Sequence, residues 1–243
     1  MPRNRILKVW LHFALAVALF AVVQLLLGRT YSAKRYVLSL LAWESIGNSN
    51  WYIFAILCLY VMAYICFSVC KERKNAIVLL IAQVVLFMLF MAKHRQEYWF
   101  NTALCFPAGM LIAYNREKIT EILSDNKKFL LILLSAFAAF YVLNCYKRAD
   151  YWFYSIYAVV FTLLVMLVTV KVEIRSPVLK WIGDRLFWIY IMQRIPMMVL
   201  KHFGYASAHP YRTALISFVV TIILALFFDI IFKKIDRMLY KSV

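Results

Sequence analysis

Apolar residues gather in eight runs of membrane-spanning length, separated by short polar and basic loops. The runs cover Ile6–Leu27, Trp51–Cys70, Ala76–Ala92, Tyr98–Tyr114, Phe129–Tyr146, Tyr151–Val170, Leu186–Phe203 and Thr213–Phe232. A helix rises about 1.5 Å per residue, so roughly 20 residues cross a ~30 Å hydrocarbon core. Inside lipid the backbone must satisfy itself, and continuous helices do so without water. The pattern predicts an all-α, polytopic integral membrane protein with about eight transmembrane helices. The longest gap, Gly28–Asn50, is itself half apolar. Residues 1–243 are therefore read as one transmembrane domain with no soluble domain beside it.

Within this pattern two runs are interrupted. The fourth contains Phe106-Pro107-Ala108-Gly109 and the seventh Ile195-Pro196. Proline removes a helical hydrogen bond and bends the axis, so a kink or a cavity between these two helices is expected. In the gap after the first run, Tyr36–Trp43 reads as a short interfacial helix, and Glu44–Asn50 reads as turn chemistry. Arg116–Leu123 reads as a short amphipathic helix on the membrane surface, ended by Asp125-Asn126. Trp and Tyr at the ends of runs (Trp51, Tyr52, Tyr98, Trp99, Tyr114, Tyr146, Tyr151 and Trp152) form an interfacial belt.

Charge orients the chain. The net charge is +17, from 28 Lys and Arg against 11 Asp and Glu. With the N-terminus inside, 18 of the basic residues fall in inner segments and 9 in outer ones, while Arg194 lies within a run. Short loops rich in Lys and Arg stay cytoplasmic, so both termini are expected inside. The basic charge is spread along loops, and with no basic soluble face no nucleic-acid partner is expected. The five cysteines all lie in apolar runs without a CxxC pair or a histidine at ligand spacing, so they read as packing or lipid-facing residues and no disulfide frame or metal site is expected. The opening apolar run is longer than the core of a signal peptide and reads as a retained anchor.

Arg194 is the sharpest candidate for chemistry. An arginine at a helix centre costs about 2.5–3.5 kcal/mol on insertion scales, so it is expected to face protein or water. A continuous helix would align Phe187, Tyr190, Arg194, Met197 and Lys201 on one stripe, with Gln193 adding an amide alongside. A structural link from Arg194 to carbonyls or to a carboxylate is the competing reading. His12 reads as a packing residue, and Asp229 as an i,i+4 partner of Lys233.

The stretch Val178–Pro196, with its Trp181-Ile182-Gly183 and Ile189-Tyr190-Ile191-Met192-Gln193, resembles the late segment of the membrane acyltransferase type 3 family. Asn50–Tyr60 and Phe106–Tyr114 resemble two further helices of that family, in the same order, and Arg5-Ile6-Leu7-Lys8 resembles its basic element. The resemblance implies a membrane O-acyltransferase. Such an enzyme moves an acyl group, commonly acetyl, from an acyl-CoA-type donor to a sugar hydroxyl of a cell-envelope glycan or glycolipid. It also implies a chain lacking the family's first two helices, which would carry that family's histidine; His12 is not given its role.

By the same resemblance, Arg5 and Lys8 would face the donor's phosphates. Gln193 would hydrogen-bond substrate, and Arg194 would stabilise charge developing on the acyl oxygen. Asn50, Trp51 and Tyr190 would contact substrate. The implied partners are membrane lipid, the glycan or glycolipid acceptor and acyl-CoA, with self-association left open. No tightly bound cofactor or metal is implied, and the location is a bacterial inner membrane. Two other functions fit the sequence pattern: transport of a glycan or lipid, suggested by the broken helices and Arg194, and a catalytically inactive membrane subunit.

Overall fold

The computed structural model describes residues 2–240, with side chains from Ile6 to Lys234 and at Arg237. The described residues form α-helices α1 (Pro2–Leu26), α2 (Ala33–Leu40), α3 (Trp51–Val69), α4 (Arg73–His94), α5 (Cys105–Tyr114), α6 (Arg116–Ser124) and α7 (Asn126–Tyr146). They continue with α8 (Tyr151–Lys171), α9 (Pro177–Asp184), α10 (Leu186–Met192), α11 (Arg194–His202), α12 (Tyr205–Ala208) and α13 (Pro210–Tyr240), and none of them is in a strand. Six helices are long and apolar enough to cross a membrane: α1, α3, α4, α7, α8 and α13. Each lies within a few residues of an expected run. The protein is an all-α integral membrane protein.

The fourth and seventh runs are helical only in pieces, and proline accounts for both. Tyr98–Tyr114 begins as a 3-10 turn at Glu97–Trp99, passes through turns and becomes helical only at Cys105. Pro107 sits in the first turn of α5, where a missing N–H costs little. It marks where this helix starts and does not kink a long one. Leu186–Phe203 is divided between α10 and α11. Pro196 has no N–H to offer the Met192 carbonyl, and α10 ends at that residue.

The chain divides into two compact units, one made of Arg3–Phe54 with the segment from Ser176 onward, the other of Ala55–Arg175. In the first unit α10 and α11 pack on α13. His12 is buried in an aromatic cage, its ring 4.6 Å from Phe232, 5.3 Å from Trp188 and 6.0 Å from Phe187. Trp188 stacks on Phe232 at 4.2 Å and fastens α10 to α13. Beside this cage Asp229 is buried and takes Lys233 Nζ at 2.8 Å and Arg185 Nε at 3.3 Å. The i,i+4 pairing of Asp229 with Lys233 is thus present, and Arg185 joins it from the start of α10.

In the second unit α5 packs on α4 and α8, and α7 packs along α8. Phe140 stacks on Tyr157 at 4.8 Å within that last pair. The amphipathic helix expected after Asn115 is α6, ended before Asp125, whose carboxylate caps α7 by accepting the Lys127 N–H at 2.9 Å.

Candidate functional site

The break between α10 and α11 sets the candidate residues in place. Gln193 joins the two helices and donates from Nε2 to the Tyr190 carbonyl at 3.1 Å. Ile189, Gln193 and Met197 line one cavity, four residues apart. Arg194 is one position off this stripe. It opens α11, is exposed, and has Tyr190 within reach of its charge. Arg194, expected to face protein or water, is thus exposed at the start of a new helix. With α10 ending at Met192, the stripe from Phe187 to Lys201 is not one helical face. The new position has its own electrostatics. The first turn of a helix carries partial positive charge from its unpaired N–H groups, so a cation there is unfavourably placed unless an anion meets it.

Tyr190 reaches a second group of candidates. Its ring lies 6.3 Å from Trp51 and 5.5 Å from Tyr52, both edge to face. Its hydroxyl is buried beside Ser49 and the Tyr52 backbone, with no partner in bonding geometry. Tyr190 and Trp51 are therefore brought together, and both candidates stand at the mouth of the loop that precedes α3.

That loop is held by side chains. Leu41–Asn50 is irregular yet largely buried, and irregular backbone at membrane depth survives only where protein satisfies it. The Ala42 and Glu44 carbonyls accept from Asn50 Nδ2 at 2.9 and 2.8 Å. The Ser45 carbonyl accepts from Arg35 Nε and Nη2 at 3.1 and 2.9 Å. The Ile46 carbonyl accepts from Gln24, and the Asn48 carbonyl from the Ser45 hydroxyl at 2.7 Å. The Ile46 and Gly47 N–H groups donate to Asn48 Oδ1 and Ser45 Oγ, both at 3.1 Å. The amide of Asn50 is thus spent on the loop, and its contribution is to position Trp51.

The loop also touches α1 at two levels. Trp10 Nε1 donates to the Leu40 carbonyl at 3.1 Å, and Gln24 bonds the Ile46 carbonyl. Those two residues of α1 lie about 21 Å apart by helical rise. Both fall within the apolar stretch Ile6–Leu26. The segment Tyr36–Trp43, expected as an interfacial helix, instead lies alongside α1 as a re-entrant element. The reason is the side-chain donors on α1, α2 and the loop itself, which remove the need for water.

The expected donor-binding cations lie at the other end of α1. Lys8 is exposed, one turn before His12, and the Arg5 side chain lies outside the described residues. On the same end of this unit stands Arg185, which donates to the Trp181 carbonyl at 3.2 Å and lies 4.7 Å over the Trp181 ring. Arg185 falls inside a recognisable motif, but its partner Asp229 is on α13, and spacing along the chain gives no sign of the pair. Among the described residues no cluster of His, Cys, Asp and Glu could hold a metal ion.

Comparison with known proteins yields one finding. The sequence signature of the acyltransferase domain matches residues 3–232. No curated protein and no solved structure matches the chain. The signature covers nearly all of the chain, including α1, the re-entrant loop and the α10–α11 break. This chain belongs to the acyltransferase 3 family and is a membrane acyltransferase.

Proposed function

We propose that the protein is an O-acyltransferase of a bacterial inner membrane, with both termini cytoplasmic. It transfers an acyl group, in the simplest case acetyl, from an acyl-CoA-type donor to a sugar hydroxyl of a cell-envelope glycan or glycolipid. The observation that carries this reading is the placement of Arg194 and Gln193 together at the break before Pro196, next to Tyr190. In the transfer step the acceptor oxygen forms a bond to the acyl carbon, the acceptor O–H bond breaks, and the C–S bond to the donor sulfur breaks. The sulfur leaves with its electron pair and takes up the proton. Negative charge builds on the acyl oxygen during this step. The guanidinium of Arg194 and the positive end of α11 stabilise that charge. Gln193 hydrogen-bonds the substrate, while Tyr190 and Trp51 contact it with their rings.

Lys8 and Arg5 hold the donor's phosphates at the inner end of α1. Arg185 belongs to the same end of its unit and lies about 14 Å of helical rise from Arg194, a separation that the linear arm of an acyl-CoA bridges. Purified protein in lipid nanodiscs, supplied with radiolabelled acetyl-CoA and a glycolipid extract, tests the reading. Label in the glycolipid and free CoA thiol should appear together. Arg194→Leu should fold and lose about 10²–10³-fold in rate, the scale of a lost oxyanion donor. Arg194→Lys should recover little, because a point charge does not reproduce the planar fork. Transfer at the wild-type rate by Arg194→Leu would remove this assignment.

A further inference from the structure

The second unit holds two adjoining cavities where α5, α6, α7 and α8 meet, of about 500 and 230 Å³. They share Ile112, Ile119, Leu123 and Met166 as a common wall. The smaller one is lined by apolar residues alone, among them Ile132 and Ala136 of α7 and Leu163 of α8. The larger one is bordered by Arg116, at the start of α6, and by Lys171, at the end of α8, and both cations are exposed. Lys171 closes the apolar span Tyr151–Lys171, so this mouth stands at the edge of the hydrocarbon. From Lys171 back to Leu163 the groove runs about 12 Å into the span by helical rise.

The mouth is positive and carries nothing to neutralise it. No carboxylate lines either cavity; Glu117 and Glu121 belong to α6 but not to its lining. Lys171 Nζ lies 5.1 Å over the Phe129 ring and donates to Asn126 Oδ1 at 3.0 Å, which leaves two of its three N–H groups for a ligand. Arg116 opens α6 without a side-chain cap, because the Asn115 amide donates back to the Leu111 carbonyl at 2.8 Å. The positive end of that helix therefore adds to the guanidinium, and together they favour an anion. The two hydroxyls at the mouth are spent within α6: Thr120 donates to the Arg116 carbonyl at 2.8 Å and Ser124 to the Glu121 carbonyl at 2.6 Å.

From this arrangement we infer a binding site for an anionic glycerophospholipid, its phosphate held by Arg116 and Lys171 and one acyl chain laid in the apolar groove beneath α6. The groove supplies both halves of that ligand's chemistry at the depth where a phospholipid carries them. Free phosphate has no use for the apolar floor. A zwitterionic headgroup brings a cation of its own toward two others, so a net negative headgroup is selected. The site also lies on the basic side of the chain, among Lys118, Lys127, Lys128 and Arg175, where anionic lipid is drawn to the surface. The lipid is neither donor nor acceptor, and its binding does not depend on the proposed transfer reaction.

The test is photolabelling of the full chain in phosphatidylcholine nanodiscs, with phosphatidylglycerol or phosphatidylcholine carrying a diazirine in one acyl chain. Labelled peptides are mapped by mass spectrometry. Labelling of the groove around Ile119, Leu163 and Met166 should be at least about tenfold stronger with the phosphatidylglycerol probe, the effect of two cations near the headgroup. Arg116→Gln with Lys171→Gln should erase that preference. Lys118→Gln removes a charge from the same helix outside the lining and should leave it intact. Gly109→Leu, at a position where nothing lies within 4 Å of a would-be Cβ, should fill the larger cavity and reduce labelling by both probes. Equal labelling of the groove by the two probes in the wild type overturns the site. So does a loss in Lys118→Gln as large as in the double variant, which would mark general attraction to a basic surface. Displacement of the probe by acetyl-CoA would assign the two cations to the donor and refute the lipid. Selective labelling in protein that releases no CoA thiol would keep the site and refute the transfer reaction.

Discussion

Gly47 is the residue on which the re-entrant loop closes. Its φ is +112°, a conformation side chains rarely adopt, and a Cβ there would stand 2.7 Å from Gln24 Nε2 and 2.8 Å from Met198 Sδ. Those two groups bond each other at 2.9 Å and tie α1 to α11. Neither can retreat without releasing the Ile46 carbonyl or the Met198 packing. Gly47→Ala should therefore cost about 2–3 kcal/mol from backbone strain and overpacking together. Thermal unfolding in detergent should show a lowered midpoint, and the variant should lose transfer activity at temperatures where the wild type is folded. Gly28 offers the contrast within the same unit. Its φ is also positive, but nothing lies within 4 Å of its would-be Cβ. Gly28→Ala carries the backbone strain alone and should be the milder change.

At the scale of the element, the α10–α11 break is a consequence of one proline. Pro196→Ala would restore an N–H opposite the Met192 carbonyl and permit one continuous helix from Leu186 to His202. Arg194 and Gln193 would then rotate with the repaired helix. We expect thermal stability equal to or above wild type and a loss of transfer of at least about tenfold, since misplacing reacting groups by a fraction of an ångström is costly. Measuring both on one preparation separates the two effects. An unchanged rate would show that the break does not position the chemistry.

How far these elements could be read from sequence depends on the range of the forces that form them. The six long helices follow from runs of apolar residues and were legible to within a few positions. The break at Pro196 was legible because a missing N–H acts locally. The amphipathic helix α6 and the Asp229–Lys233 pair were legible because both rest on neighbours one turn apart. The re-entrant loop was not. Its backbone is satisfied by Gln24, Arg35 and Asn50, and no periodicity announces that a glutamine in one run will serve a carbonyl 22 residues later. The stripe through Arg194 was only partly legible, because it assumes a continuous axis and α10 ends at Met192 before α11 begins at Arg194.

For the whole molecule, the order of charged loops makes a topological prediction. Arg148, between α7 and α8, belongs to the sparsely basic side, and Glu173, between α8 and α9, to the strongly basic side. Single cysteines at these positions, in a background without the native five, should react differently with an impermeant maleimide on intact cells. The residue replacing Arg148 should be labelled and that replacing Glu173 protected until the membrane is opened. The reverse pattern would place both termini outside. The native thiols should be removed even though most are partly or fully covered, because Cys145 is exposed at the end of α7.

One feature of the first unit also constrains the order in which the protein can be made. Gln24 is synthesised early, yet its partners are the Ile46 carbonyl and Met198 Sδ. Aromatic neighbours of His12 likewise come from Phe187, Trp188 and Phe232. The first helix must therefore wait in the nascent chain while the contiguous unit Ala55–Arg175 is produced. Throughout that interval it holds a polar amide that lacks Met198 and an imidazole that lacks its cage. Synthesis of the segment that starts at Ser176, more than insertion of any single span, is the event that completes the first unit. A ribosome stalled before Ser176 would leave the first helix as a substrate for membrane quality control.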